Sequence, residues 1–303
     1  MKYIKLFENF EGDDKQKELA DELAAYLGVN LDTFAETQKI MAMSPEGIQR
    51  WFDAEMENPK ANIPVIEELV RLGYKFDLLN KDLFYAAQHN KVGLAKILLN
   101  RGADKDVRDG QNQTPLHIAA IYDSRVVAEL LLDRGVKIEA IDRYQQTPLH
   151  YAAYYDSRAV AELLLDRGAE IDAADHIQQT PLHWAAEYDR IAVAELLLDR
   201  RAEIDARDRY QNTPLHLAAK EGSRAVAELL LDRGADYEAR KKYQETPLHL
   251  AAENDRIAVA ELLLDRGADK EAMDESQLTP WDYATEEMQK TLPQLNPNYK
   301  GNL

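Results

Sequence analysis

The amino-acid sequence predicts an all-α solenoid, in which short helix–turn–helix units stack side by side. The first observation is the phrase Thr-Pro-Leu-His, which returns every 33 residues, beginning at Thr114, Thr147, Thr180, Thr213 and Thr246. The second is a leucine-rich phrase, of which "VAELLLDRGA" is one form, that follows each copy. Because neither helix can bury its apolar face within one such unit, each unit must pack on its neighbours.

Residues 147–179 illustrate the elements of one unit. Thr147 and Pro148 predict a helix start, since a threonine hydroxyl can cap free backbone N–H groups and proline fits the first helical position. A second helix, "SRAVAELLLDRG", has apolar residues at helical spacing and stops at Gly168, because glycine readily adopts the left-handed conformation. The polar residues 169–179 then predict an extended finger that leads to the next Thr-Pro.

The pattern Thr-Pro-Leu-His-x-Ala-Ala, followed by Leu-Leu-Leu-Asp-Arg-Gly-Ala, resembles the ankyrin repeat. The resemblance implies a solenoid of helix pairs with β-hairpin-like fingers. It covers degenerate repeats over residues 44–113, five clear repeats over 114–278 and a C-terminal cap over 279–303, and it leaves residues 1–43 as a short helical N-terminal segment. We number the clear repeats 1 to 5, for residues 114–146, 147–179, 180–212, 213–245 and 246–278.

Two departures from the family pattern concern the fingers. The glycine usual at the finger turn is replaced by Asn112, Gln145, Gln178, Gln211, Gln244 and Gln277. The asparagine usual before the finger's alanine is replaced by Asp106, Glu139, Asp172, Asp205, Glu238 and Glu271. We therefore expect slightly strained turns, since positive φ suits glycine best, and we expect the asparagine hydrogen-bond ladder to be absent.

The repeated phrase contains five histidines, His117, His150, His183, His216 and His249. Stacking places equivalent side chains about 10 Å apart, whereas a metal ion needs its ligands about 2 Å from one centre. The five histidines therefore cannot share an ion. The family resemblance implies a structural role, in which each histidine hydrogen-bonds locally and ties the finger to the helix start.

The sequence holds no arrangement typical of an enzyme. Acidic residues recur with the repeat, from Glu129 to Glu261 at one helix position, and a repeated acid indicates a solvated face rather than an acid–base pair with two different environments. It has no nucleophile–base arrangement, glycine-rich phosphate loop or metal-ligand spacing. We predict a non-enzymatic protein with no catalytic residue, no metal site and no cofactor.

Composition narrows the class of partner. The formal net charge of −18 repels nucleic-acid phosphates and anionic membrane surfaces. The chain has no cysteine, no apolar run near the roughly 18 residues of a membrane span, and no secretory signal at its start. We expect a soluble, cytoplasmic monomer that binds a protein, and neither nucleic acid nor membranes.

The family architecture implies a concave groove formed by the finger tips and the ends of the first helices. Tyrosine and arginine dominate the middle of this groove, and both residue types are enriched at interface hot spots. The candidate partner-binding residues are Tyr122, Arg143, Tyr144, Tyr154, Tyr155, Tyr188, Arg209, Tyr210, Lys242 and Tyr243. For any one tyrosine at a finger tip, packing against the next finger is the competing interpretation.

Positive charge concentrates near two neighbouring fingers, at Arg207, Arg209, Arg240, Lys241 and Lys242. An acidic or phosphorylated segment of the partner could be steered there. The alternative is that these cations pair with the many nearby carboxylates, which would contribute little.

Two hypotheses for function remain open. The first is a module that binds a partner protein through the Tyr/Arg-rich groove. The second is a structural spacer or assembly protein that is targeted by its N-terminal segment, because "MKYIKLFENF" resembles short targeting peptides on internal head proteins of some tailed phages. That resemblance includes a Leu6-Phe7-Glu8 stretch like their maturation cleavage sites.

Overall fold

The structure is a computed structural model that describes residues 31–57, 63–71 and 81–299. Regular structure in these ranges is helical, without any β-strand, which confirms the predicted all-α class. The chain divides into two compact units, Met1–Asp104 and Lys105–Leu303. No helix within the described ranges is both long enough and apolar enough to cross a membrane.

The described residues of the first unit form helices at Leu31–Met41, Pro45–Glu57, Ile63–Arg71, Lys81–Gln88 and Val92–Asn100. The helix Ile63–Arg71 packs against both Leu31–Met41 and Val92–Asn100. Its Val65, Ile66 and Leu69 are fully buried, so this helix forms the centre of an apolar core. The helices suggested within the degenerate repeats are therefore present.

Residues 1–30 lie outside the described residues. Most of the helical segment expected over residues 1–43 and the stretch that resembles a phage targeting peptide fall there. The domain boundary expected after residue 43 also stays a prediction.

In the second unit, each clear repeat consists of two antiparallel helices followed by a finger. The first helices span Pro115–Ile121, Pro148–Tyr155, Pro181–Glu187, Pro214–Glu221 and Pro247–Glu253. The second helices span Arg125–Asp133, Arg158–Asp166, Ile191–Asp199, Arg224–Asp232 and Ile257–Asp265. First helices pack on the first helices of adjacent repeats, and the fully buried alanine pair of each lets the backbones approach closely.

The first helices end in the left-handed conformation. Asp123, Asp156, Asp189 and Asp255 have φ between 49° and 57° there, and Gly222 has φ 82°. In three of these repeats the aspartate also accepts a hydrogen bond from the next repeat, as when Oδ1 of Asp156 accepts the backbone N–H of Val193 at 3.0 Å. Each of these three aspartates therefore has two roles. Its backbone adopts positive φ at the end of the first helix, and its side chain links adjacent repeats.

The fingers end in tight turns. The six amide residues at the turn have φ between 60° and 66°, which confirms the left-handed backbone expected at a position where the family has glycine. Each finger also donates one backbone hydrogen bond to the finger before it, for example from the N–H of Arg209 to the carbonyl of Ile177 at 2.8 Å. Backbone bonding between neighbouring fingers is therefore limited to one hydrogen bond, and the fingers do not form β-strands.

No asparagine ladder joins the fingers, but carboxylates at the same positions make equivalent hydrogen bonds. The carboxylate of Asp172 accepts the backbone N–H of Glu203 in the next repeat at 3.1 Å. The same bond, 31 residues along, is made by Asp106, Glu139, Asp205 and Glu238. A carboxylate oxygen accepts this N–H as well as an amide oxygen would, so the substitution keeps the link.

The C-terminal cap follows repeat 5 and contains two short helices, Pro280–Tyr283 and Glu286–Thr291, and a 3₁₀ turn at Pro293–Leu295. Its apolar side chains at Met288, Leu292 and Leu295 are buried. The ammonium group of Lys270 in repeat 5 donates to the carbonyls of residues 294 and 296, so the cap is fastened to the last repeat.

Candidate functional site

The five repeated histidines lie buried between the start of the first helix and the end of the finger. In repeat 2 the backbone N–H of Thr147 donates to Nδ1 of His150 at 3.1 Å, and Nε2 of the ring lies 3.0 Å from the carbonyl oxygen of Gln179. An N–H can only donate and a carbonyl can only accept, so the ring is neutral and protonated on Nε2. The same two contacts recur at His117, His183, His216 and His249.

Burial lowers the pKa of all five histidines, to about 4 for His117 and about 3 for His216. They are therefore neutral at pH 7, and both ring nitrogens are engaged in hydrogen bonds. No group of three or more side chains that could hold a metal ion occurs in the described ranges. The geometry accounts for these histidines as links between helix and finger.

The groove of repeats 1 to 5, formed by the finger tips and the ends of the first helices, carries the exposed tyrosines. Every exposed tyrosine within these repeats lies at a groove position. Tyr188 is the least exposed of them, at 37%, and Tyr210 and Tyr243 are the most exposed, at 53%. The others are Tyr122, Tyr144 and Tyr155.

Four rings pack together at the ends of the first helices of repeats 2 and 3, and we call them the aromatic cluster: Tyr154, Tyr155, Trp184 and Tyr188. The ring centroid of Tyr154 lies 4.4 Å from that of Tyr188, 4.6 Å from Tyr155 and 5.5 Å from Trp184. Burial, and then the neighbouring Glu187, raise the pKa of Tyr188 to about 12, so its hydroxyl stays protonated at neutral pH. The cluster presents apolar ring surface with polar edges to the groove.

Trp184 is a member of the cluster that sequence reasoning missed. It follows the repeated histidine, a position that holds isoleucine, tyrosine, tryptophan, leucine and leucine in repeats 1 to 5. That variation, with the largest side chain in the central repeat, is the signal that could have identified it.

The finger tips hold cations against aromatic rings. The guanidinium of Arg143 lies 4.7 Å from the ring centroid of Tyr144, and the ammonium of Lys242 lies 5.4 Å from that of Tyr243. Tyr144 also contacts the ring of His176 on the next finger, at 5.5 Å, which favours the packing interpretation for this tyrosine. Arg209 donates a side-chain hydrogen bond to the backbone carbonyl of that same histidine.

A cleft of about 340 Å³ lies between the fingers of repeats 3 and 4 and the first helices of repeats 3 to 5. Its lining includes the leucines and tyrosines Leu217, Leu250, Tyr210 and Tyr243 and the lysines Lys220, Lys241 and Lys242. The carboxylates of Glu187 and Asp208 also line it, so the cleft combines apolar surface, phenol groups and charges of both signs.

The cations beside this cleft are engaged to different degrees. Arg207 and Arg240 each donate to two backbone carbonyls, one on their own finger and one on the next. Lys241 forms an ion pair with Glu245 at 3.0 Å, whereas no ion pair to Lys242 occurs among the described residues. Hydrogen bonds to carbonyls leave a guanidinium charged, so Arg207 and Arg240 keep their positive charge beside the cleft.

Comparisons with known proteins agree with this architecture. The family profile described as ankyrin repeats (3 copies) matches residues 83–175, 172–241 and 208–274. The ankyrin repeat domain of human ASB11 is similar in structure, with a TM-score of 0.65 and 24% identity over 72% of this chain and 98% of that one. The ankyrin repeat domain of Bcl-3, described as a unique member of the IkappaB protein family, has a TM-score of 0.60 and 28% identity over 70% and 97%. No curated protein matches.

Proposed function

Because this chain belongs to the ankyrin repeat family, we propose that it is a non-enzymatic module that binds a partner protein through the groove of repeats 1 to 5. Ankyrin repeats are in general protein-interaction modules. The observation that carries the proposal is the concentration of exposed tyrosines at groove positions. Exposed aromatic side chains in one stripe supply large contact area, and a folded chain gains nothing from exposing them to water.

Two parts of the groove are suited to anchor a partner. The aromatic cluster offers partly exposed rings that are already held in place by one another, so little side-chain freedom is lost on binding. The cleft between repeats 3 and 5 offers a concave surface that an apolar side chain can fill.

We further propose that the partner presents an acidic segment to the fingers of repeats 3 and 4. Support comes from Lys242, which has no ion-pair partner among the described residues, and from the arginines that bond backbone carbonyls and so keep their charge. A carboxylate or phosphate would form charge-assisted hydrogen bonds there. Changing Lys242 to glutamate should mainly slow association, and the effect should shrink as salt is added.

The test removes three tyrosines that are among the most exposed on the groove, in a variant with Tyr122, Tyr155 and Tyr210 changed to alanine. We expect helicity and melting temperature to change little, because side chains this exposed contribute little to the core. Partner capture should be lost, since hot-spot aromatics each contribute more than about 1–2 kcal/mol.

A matched control changes Val126 and Ile191 to alanine, because both are about as exposed but lie on second helices, away from the groove. Capture should survive in this control. Equal capture by the tyrosine variant and the control would contradict the proposal and favour the spacer hypothesis.

A further inference from the structure

An aspartate at the base of the finger is bound in nearly the same way in the degenerate repeat and in repeats 1, 2, 3 and 5, whereas repeat 4 has Lys241 at this position. In repeat 2, Oδ1 of Asp175 accepts the backbone N–H groups of Ile177 and Gln179, both at 2.9 Å. The same pair of bonds is made by Asp109, Asp142, Asp208 and Asp274. The aspartates differ in the partner of the second carboxylate oxygen, Oδ2.

That second oxygen has a partner within the chain in three of these places. Oδ2 of Asp142 accepts the hydroxyl of Tyr151 at 3.0 Å, nine residues later. Oδ2 of Asp274 accepts the hydroxyl of Tyr283 at 2.6 Å, again nine residues later. Oδ2 of Asp208 instead accepts a side-chain amide hydrogen bond from residue 212 at 3.0 Å.

The Oδ2 atom of Asp175 has no such partner. The residue nine positions after Asp175 is Trp184, so no hydroxyl is available. Oδ2 of Asp175 and Nε1 of Trp184 are both buried without a hydrogen-bond partner, and no other buried side-chain nitrogen or oxygen in the described ranges is left so. Nδ1 of His176 lies 4.0 Å from this Oδ2, beyond hydrogen-bonding distance, and contacts the carbonyl of residue 144 instead.

The ring at this position also packs differently in repeat 3. The rings of Tyr151 and Tyr283 each contact the repeated histidine of the preceding repeat, with centroids 5.5 and 6.0 Å apart. The ring of Trp184 contacts Tyr154 and Tyr188 of the aromatic cluster. An unpaired acceptor in repeat 2 and an unpaired donor in repeat 3 therefore lie next to the surface that we propose as an anchor.

We propose that Asp175 and Trp184 form a binding subsite for a primary carboxamide of the partner, the side chain of an asparagine or glutamine. The carboxamide N–H donates to Oδ2 of Asp175, and the carboxamide oxygen accepts the indole N–H of Trp184. This inference rests on the proposed function, and it names one chemical group that the groove selects.

The chemistry of the two atoms excludes charged side chains and requires a group with both a donor and an acceptor. A carboxylate has no proton to donate and is repelled by Asp175, and a lysine or arginine has no acceptor for the indole N–H. A carboxamide carries its donor and its acceptor on separate atoms of one plane, so its N–H and its oxygen can bond two different groups at the same time. Leaving either buried group unpaired is unfavourable, which makes the site selective.

Access to the subsite requires the indole ring to shift. The side chain of Asp175 is fully shielded from solvent, whereas Trp184 is partly exposed. Binding should therefore change the surroundings of the indole N–H directly, and that group gives a separate signal in a nitrogen–proton NMR spectrum.

The test uses the full chain labelled with ¹⁵N and propionamide as the probe, because propionamide is the side chain of glutamine with one added hydrogen. The indole resonance of Trp184 is assigned by its loss in Trp184→Phe, and Trp51 and Trp281 serve as internal references. We expect a saturable shift of the Trp184 resonance alone. Asp175→Asn should weaken propionamide binding about tenfold or more, because a donor replaces Oδ2 while Oδ1 still accepts the finger N–H groups.

Two controls test whether the response depends on Asp175 and on the N–H of the probe. Asp142→Asn alters the equivalent aspartate that already has a tyrosine partner, so the propionamide response should be unchanged. N,N-dimethylpropionamide has no N–H, so it should give no saturable shift. A response that is absent, that survives in Asp175→Asn, or that is equal for the dimethyl probe would overturn the subsite. None of these results alters the tyrosine-variant experiment, so failure of the subsite and failure of the groove proposal are distinguishable.

Discussion

Arg201 has φ 70° at the end of a second helix, where the other clear repeats and the degenerate repeat before them have glycine. A side chain in this left-handed region costs about 1–2 kcal/mol relative to the right-handed one. Replacement by glycine removes that cost but adds conformational freedom to the unfolded chain. Repeat 3 therefore carries local strain that its neighbours avoid.

We predict that Arg201→Gly raises the free energy of unfolding by about 0.5–1 kcal/mol. The reverse change in the adjacent repeat, Gly168→Arg, should lower it by a similar amount, since Gly168 has φ 86° and open space around its Cα. Urea denaturation of the two variants measures both. A loss of stability in Arg201→Gly would mean that the arginine side chain stabilises the fold by a contact that outweighs the strain.

The buried histidines make stability depend on pH. Burial lowers the pKa of His117 to about 4, whereas histidine in an unfolded chain has a pKa of about 6.5. The unfolded state therefore binds the proton more readily, and the stabilisation present above pH 6.5 is lost as the pH falls towards 4. Between pH 7 and 5 this one residue should account for about 2 kcal/mol.

We predict that His117→Gln flattens this pH dependence. Glutamine can still accept the Thr114 N–H in a capping box, but it does not titrate. The variant should be less stable than the parent at pH 7.5, and the difference should narrow at pH 5.0. Parallel pH profiles for the two proteins would show that His117 is not the titrating group.

At the level of elements, the repeats are joined by side-chain bonds that recur at fixed offsets. The acidic finger residues bond a backbone N–H 31 residues along, and the aspartates that end the first helices bond one 37 residues along. On the second helices, arginine–aspartate ion pairs 34 residues apart link neighbouring repeats, for example Asp166 with Arg200 at 2.8 Å. These pairs are exposed, so each contributes little by itself.

We predict that Asp172→Ala lowers the free energy of unfolding by about 0.5–1.5 kcal/mol, because the backbone N–H of Glu203 loses its partner. Glu271→Ala is the matched control. Glu271 holds the same place in the last finger, and no backbone N–H among the described residues bonds its carboxylate. Equal effects of the two substitutions would show that the bond across repeats contributes nothing.

The helices, their caps and the left-handed finger turns could be predicted from the sequence, because they depend on residue types at fixed spacing. The side-chain partners that link neighbouring repeats could not be predicted in the same way. Arg158 lies one turn before Glu162, yet its guanidinium bonds Glu195, the equivalent glutamate of the next repeat. A periodic sequence offers both partners at once, and only the packing of the second helices decides between them.

The candidate site was predicted in part. Its tyrosines could be located because they break the repeat at positions that the family places on the groove. Trp184 also lies at a position that varies between repeats, which makes it a candidate, but tryptophan at such a position is equally consistent with core packing. That its N–H and the carboxylate of Asp175 are both unpaired depends on how the ring packs, which the sequence does not reveal.

For the molecule as a whole, the C-terminal end combines a small cap with uneven charge. Repeat 5 carries three lysine or arginine residues against eight aspartate or glutamate residues, whereas repeat 4 is balanced at six and six. Opening at an end breaks one interface between repeats, and opening in the middle breaks two. The last repeat should therefore open first despite the buried side chains of the cap.

We predict that amide hydrogen exchange at neutral pH is fastest over residues 246–292 among the clear repeats. Added salt should slow exchange there more than elsewhere, because carboxylate repulsion is screened within about 10 Å at 0.1 M salt. Equal protection from exchange over residues 114–292, unchanged by salt, would show that the cap stabilises the last repeat and that charge repulsion is unimportant.

The central claim is that the groove of repeats 1 to 5 contacts a partner protein. The most direct measurement is amide hydrogen exchange of the full chain with and without the captured partner. We predict added protection at the finger tips and the ends of the first helices, strongest around Tyr155, Tyr188 and Tyr210, with the second helices unchanged. Protection confined to the second helices or to residues 1–30 would contradict the claim.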